Sequence, residues 1–188
     1  MRNVTRLVVV VAAAIVFISA TFANAANTIM VSVNGMKQGQ FKGESTRSQM
    51  QDKIEASSFS FEVASPRDAA SGMASGRRQY KPLTITKEMG ASSPQFLAAL
   101  ATNEPLKTVT LDFYKTNQNG EEYIYYTIKL TNATVAGIRQ HSPEAGDKHA
   151  SSAAAAPQLE EISLSFQKIE VESKDGKTMA MDDAMGAR

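Results

Sequence analysis

The chain has 188 residues, 43% of them hydrophobic and 21% charged, which is enough material for one buried core. Twenty Lys and Arg face nineteen Asp and Glu, so no net charge points to nucleic acid or to an acidic membrane. With no cysteine, a lipidated N-terminal Cys and disulfide bonds are both excluded.

Arg2 and Arg6 flank the start of an apolar run, Leu7 to Ile18, that is short for a membrane span. Ala23-Asn24-Ala25 follows, the small-x-small pattern that signal peptidase accepts. The sequence therefore predicts a signal peptide over residues 1–25, cleavage before Ala26, and an exported single domain over residues 26–188 with no membrane span. Removing Arg2 and Arg6 leaves 18 basic against 19 acidic side chains in that domain.

Ile29-Met30-Val31-Ser32-Val33 reads as a first strand, closed by Asn34-Gly35, a pair suited to the φ > 0 conformations of a turn. Gly39 to Lys53 is polar and reads as loop. Ile54, Phe59, Phe61 and Val63 restore a strand pattern, with Phe59 and Phe61 on one face. From Ser65 to Gly76, Pro66, Gly72 and Gly76 lie among Ser and Ala, a composition that predicts an exposed, mobile loop. A strand resumes near Arg77. Along Tyr80 to Glu88, Leu83 and Ile85 share one face, Thr84, Thr86 and Glu88 the other, and Pro82 marks an edge or bulge.

Ser92-Ser93-Pro94 is a helix-start signal: a Ser N-cap accepts a backbone N–H, and Pro at the first helical position loses nothing. Phe96, Leu97, Leu100 and Ala101 give the apolar stripe, and Asn103-Glu104-Pro105 stops the helix. Val109, Leu111 and Phe113 then alternate, Asn119-Gly120 turns the chain, and Ile124, Tyr126, Ile128 and Leu130 alternate back. The apolar face shifts to Ala133 and Val135, which implies a bulge near Thr131-Asn132 and a strand that bends as barrel strands do. Ser142 to Pro157 reads as a long surface loop. Ile162, Leu164 and Phe166 form another strand, with a register break before Ile169 and Val171, and Asp175-Gly176 turns into a last strand at Thr178 to Met181. The fold class predicted is mainly β: a compact antiparallel β-barrel, or two-sheet arrangement, with one short flanking α-helix.

The residues do not assemble a chemical site. His141, Glu144, Asp147 and His149 are metal-ligand types, but their Pro- and Gly-containing stretch fixes no helical or knuckle spacing and reads as solvated loop. Ser45 with either histidine lacks a nucleophile elbow. The pairs Glu121-Glu122, Glu160-Glu161 and Asp182-Asp183 point to opposite strand faces and read as solvated edges. No phosphate-binding glycine motif opens a helix. Tyr123, Tyr125 and Tyr126 beside Lys129 could stack bases, but balanced charge favours cross-strand packing. No catalytic residue, cofactor or metal is assigned, and no nucleic-acid partner is expected.

Six segments, in order, resemble the haemolysin-coregulated proteins of type VI secretion. They are Phe41-Lys42-Gly43-Glu44-Ser45; Phe59-Ser60-Phe61; Leu83-x-Ile85-Thr86-Lys87-Glu88; Ala91-Ser92-Ser93-Pro94-Gln95-Phe96-Leu97 with Ala99-Leu100; Leu130-x-Asn132-Ala133; and Leu159-Glu160-x-Ile162-Ser163. The resemblance runs from about Ile29 to Met181. It implies a structural, non-enzymatic subunit that forms homohexameric rings, stacks them into the inner tube of a contractile machine, and holds effector proteins in the lumen. The Ser65 to Gln79 stretch lies where the family's inter-ring loop falls, and Arg67, Asp68, Arg77 and Arg78 are its candidate ring-stacking residues. The signal peptide departs from this pattern, since family tube subunits assemble in the cytoplasm. The alternative expectation is therefore an exported monomeric β-barrel binding module that kept the fold and lost the assembly.

Overall fold

A computed structural model describes residues 28–142 and 158–184. The signal peptide expected over 1–25 lies outside these residues, as does most of the loop expected over Ser142 to Pro157, including Glu144, Asp147 and His149.

The first strand, β1 (Thr28–Gly35), turns through Met36 to Gln38 into a short β2 (Gly39–Gln40). Asn34 and Gly35 are thus ladder residues, paired with Gln40 and Gly39, and the turn expected there falls directly after them. The cause is Glu104, whose Oε1 accepts the backbone N–H groups of Lys37 and Gln38 at 2.6 and 2.9 Å and fixes the turn from outside the hairpin. Residues 41–53 run irregularly, as expected, yet Phe41 and Met50 are buried. Met50 covers Met30 and Tyr114 on the outside of the sheet, forming a small second core.

β3 (Ile54–Ser60) follows, and a register shift between Ala56 and Ser58 puts Phe59 opposite Ile85. Phe59 meets Phe113 edge-on, with ring centroids 4.8 Å apart. β4 (Val63–Ala64) and β5 (Gln79–Tyr80) form a separate two-stranded ribbon, and Pro82 precedes β6 (Leu83–Glu88). The helix α1 (Ser93–Ala101) forms where expected, with Pro94 in its first turn. It is capped differently, because Ser92 has helical dihedrals and makes no side-chain cap bond. Its buried face is Ser93, Phe96 and Ala99, while Leu97 and Ala101 point outward. Asn103 takes φ 50°, and the Glu104 N–H reaches back to the Ala99 carbonyl at 2.9 Å, which closes the helix end.

β7 (Leu106–Thr116), β8 (Glu122–His141), β9 (Leu159–Ser165), β10 (Lys168–Ser173) and β11 (Thr178–Asp183) complete the described strands. The barrel is the closed cycle β8-β7-β1-β3-β6-β9 and back to β8, antiparallel at every step. β8, with 20 residues, makes closure possible by changing partner along its length. Tyr126 to Thr131 pair with β10, and Thr134 to His141 pair with β9. The change falls at Asn132, which has φ 50° and carries the buried positions from Leu130 to Ala133, as the shifted apolar face implies. The break expected before Ile169 likewise separates β9 from β10. The core is the barrel interior: Val31, Val33, Ile54, Leu83, Ile85, Val109, Leu111, Leu130, Ile162 and Leu164 are all fully buried. Closure leaves none of the six barrel strands with an open ladder on both sides.

Candidate functional site

Two places on the barrel carry structure that the core does not require: a projecting arm, and a polar junction under the helix.

The arm runs from Val63 to Tyr80. Val63 pairs with Tyr80 and Ala64 with Gln79 at its base, and Arg67 bridges Ala74 further out. The Ser75 N–H donates to the Pro66 carbonyl at 3.0 Å, and the Asp68 N–H to the Met73 carbonyl at 2.9 Å. The exposure foreseen for Ser65 to Gly76 is present, but the chain there is a hydrogen-bonded hairpin and not an irregular loop. At the tip, Asp68 Oδ1 accepts the Ser71 N–H at 2.7 Å, the Ser71 hydroxyl at 2.8 Å and the Ala70 N–H at 3.1 Å. These bonds hold its carboxyl below the usual range. Composition predicts looseness because it does not register an Asx-type turn closing on a glycine at φ 68°.

The arm base is fastened to β11. Arg78 grips Asp182 through Nε and Nη2, each at 2.7 Å, and the Tyr80 hydroxyl donates to the same carboxylate. The Tyr80 bond, then Arg78, outweigh desolvation and hold Asp182 below the usual carboxylate range. Burial, then the Asp182 charge, push the Tyr80 phenol up. Tyr80 also meets Phe166 edge-on at 5.6 Å and stacks on Phe61 at 6.2 Å, so an aromatic cluster seats the arm on the barrel. Arg67, Asp68, Arg77 and Arg78 are all exposed. They are not equivalent: Arg67 donates to the Gly72 carbonyl at 3.0 Å, Asp68 shapes the tip and Arg78 fastens the base. Arg77 alone of the four makes no hydrogen bond or ion pair among the described residues.

The junction lies where β6 and β9 meet α1. Lys87 continues the inward face of Leu83 and Ile85, Glu160 that of Ile162 and Leu164, and the two residues are directly opposite. Lys87 Nζ lies 3.0 Å from Glu160 and 3.2 Å from Glu44, with Lys87 and Glu160 fully buried. Glu160 also accepts from the Ser93 hydroxyl at 2.6 Å and from Gln140 Nε2 at 3.0 Å. Glu44 accepts the Ser92 N–H and hydroxyl at 3.1 and 2.9 Å. The helix-start serines therefore serve the junction instead of the helix cap. Burial opposes ionisation of Glu160, but the bonds from Gln140, Ser93 and Lys87, with the Lys87 charge, hold its carboxyl below the usual range. Gly43, beside Glu44 in sequence, is pressed against main chain: a Cβ on it would stand 2.1 Å from the Lys53 carbonyl carbon.

Sequence reading assigned Glu160-Glu161 to a solvated edge, and Glu160 corrects it: only Glu161 faces outward, 3.4 Å from Arg139. The missed signal is alternation itself, which puts Lys87 and Glu160 on apolar faces with opposite charge. Of the metal-ligand types, His141 ends β8 opposite Leu159, with Nδ1 buried and unpartnered among the described residues. No metal-holding group of His, Asp and Glu occurs among the described residues, and no described helix is long and apolar enough to cross a membrane.

A closed antiparallel barrel with a fastened arm, a flanking helix and a buried polar junction defines the class of fold. The comparisons place it. The family described as type VI secretion system effector, Hcp, matches residues 32–172. The "Major exported protein" of Pseudomonas aeruginosa is 30% identical over 165 residues, covering 81% of this chain and 92% of that protein. A crystal structure of an Hcp protein superposes with a TM-score of 0.74 at 30% identity, over 83% of this chain and 98% of that one. Hcp3 of P. aeruginosa gives a TM-score of 0.66 at 26% identity, over 84% and 98%. The chain belongs to the Hcp family of type VI secretion. It is a tube-like structural protein of that system and not an enzyme.

Proposed function

We propose that the chain is an exported ring-forming subunit: copies associate side by side as homohexamers, rings stack, and the lumen carries effector proteins. The single observation that carries this reading is the arm. An isolated barrel has no use for an 18-residue ribbon fastened at its base by an Asp182 carboxylate and an aromatic cluster, whereas a stacking subunit needs a stiff projection. Arg67, Asp68 and Arg78 shape the arm, and Arg77 is the side chain left to engage the neighbouring ring. Export fits the N-terminal pattern of Arg2, Arg6, the Leu7 to Ile18 run and Ala23-Asn24-Ala25, with cleavage before Ala26 leaving one domain over 26–188. The relative named a major exported protein is consistent with that destination.

The same N-terminal pattern favours a second reading, an exported monomeric binding module, because tube subunits assemble before export. Light scattering of residues 26–188 over a concentration range, with negative-stain imaging, separates the two. Six-subunit rings are expected; a monomer that persists at the highest concentration overturns assembly in favour of the module.

A further inference from the structure

Two Asn-Gly pairs lie in the described chain, and the fold treats them oppositely. Asn34-Gly35 is held between β7 and β2, with Gly35 buried and Glu104 Oε1 2.6 Å from where a Cβ would stand. Asn119-Gly120 forms the β7–β8 turn, both residues exposed, with Gly120 at φ 83° and open space around its Cβ position. The Asn119 side-chain amide has no partner among the described residues, whereas Asn117 is fully used: its Oδ1 accepts the Asn119 and Glu121 N–H groups at 2.9 Å each, and its Nδ2 donates to Glu121.

A side-chain amide reacts with its own backbone when it is unengaged, when the next residue has no Cβ to obstruct approach, and when the backbone there can open. Asn119 meets all three conditions. One bond guards it, from the Gly120 N–H to the Asn117 carbonyl at 3.1 Å, in a turn that opens without disturbing the barrel.

We propose that Asn119 is a site of spontaneous deamidation. The Gly120 nitrogen gives its proton to water and attacks Asn119 Cγ. The Cγ–Nδ2 bond breaks, and Nδ2 leaves as ammonia after taking up a proton, giving a five-membered imide. Water then adds to either imide carbonyl, producing aspartate or, with the main chain rerouted through Cγ, isoaspartate. The product puts a new carboxylate beside Glu121 and Glu122, and the isoaspartate form adds a backbone atom that the hairpin register cannot absorb. This inference is independent of the assembly reading.

The test is peptide mapping by mass spectrometry after incubating the purified chain in heavy-oxygen water at mildly alkaline pH, with and without urea. In the native chain, label is expected at Asn119 about ten times faster or more than at Asn34, because only one of the two opens locally. In urea the two rates converge. Gly120→Ala slows labelling at position 119. Equal native rates at Asn34 and Asn119 would overturn the proposal, as would an unlabelled Asn119 in a native chain whose Asn34 reacts once denatured.

Discussion

Lys87 is buried between Glu160 and Glu44, so its neighbours decide what a mutation costs. Lys87→Ala leaves Glu160 buried and unpaired, and is expected to cost about 3–5 kcal/mol in urea unfolding. Glu160→Gln keeps most of the polar contacts and leaves Lys87 with Glu44, so about 1.5–3 kcal/mol is expected, the value of bonds to a charged group. Lys87→Met with Glu160→Leu removes both charges together and should recover stability relative to Lys87→Ala; further loss would show that the junction is net stabilising. Because the native Glu160 value lies below 4.5, its contribution is complete above that pH and is lost as pH falls through the lowered native value. Acid unfolding of wild type should therefore steepen in that window, and the Glu160→Gln curve should be flatter there. Gly43→Ala must move the Lys53 backbone, since the contact is with main chain and not with a flexible tip, and an overpacking loss on the order of 2–3 kcal/mol is expected.

Among the elements, the arm separates shape from stability. Asp182→Ala removes the grip on Arg78 and Tyr80, which is partly exposed, so thermal stability of the barrel should change by less than about 1 kcal/mol. Trypsin cleavage after Arg77 and Arg78 should nonetheless accelerate sharply; unchanged cleavage would mean that the aromatic seat alone holds the arm. Replacing residues 66–76 by a two-residue turn should leave the circular-dichroism melt intact and, under the proposed assembly, abolish stacked rings in electron micrographs. How far these elements were legible differs by mechanism. The β7–β8 hairpin and the face shift at Asn132 were readable because alternation and turn chemistry are local. The arm's seat on the barrel, the Ser92 and Ser93 partners and the turn after Gly35 were not, because each is fixed by a residue distant in sequence: Asp182, Glu44, Glu160 and Glu104. The helix stripe was half legible for the same reason: Phe96 and Leu100 pack on the core as read, whereas Leu97 and Ala101 face outward. Phe96 and Ala99 face inward because Phe41 arrives from another segment, meeting Phe96 edge-on at 5.2 Å.

For the whole molecule, four of the six family-like segments converge on one construction. Phe41 packs on Phe96, Glu44 binds Ser92 and Lys87, and Glu160 binds Ser93 and Lys87, so the motifs read in order along the chain are mutual partners in space. The barrel is closed by β9, which touches β6 and β8 at once. A chain emerging from a ribosome or threading through a membrane presents β1, β3, β6, β7 and β8 first, and until Leu159–Ser165 follows, β6 and β8 each keep an unpaired edge. Closure joins residues far apart in sequence, which makes it a slow event. The chain therefore stays open for most of its synthesis, a state suited to passage through a translocation pore and dangerous if it lingers, because two bare edges invite other chains.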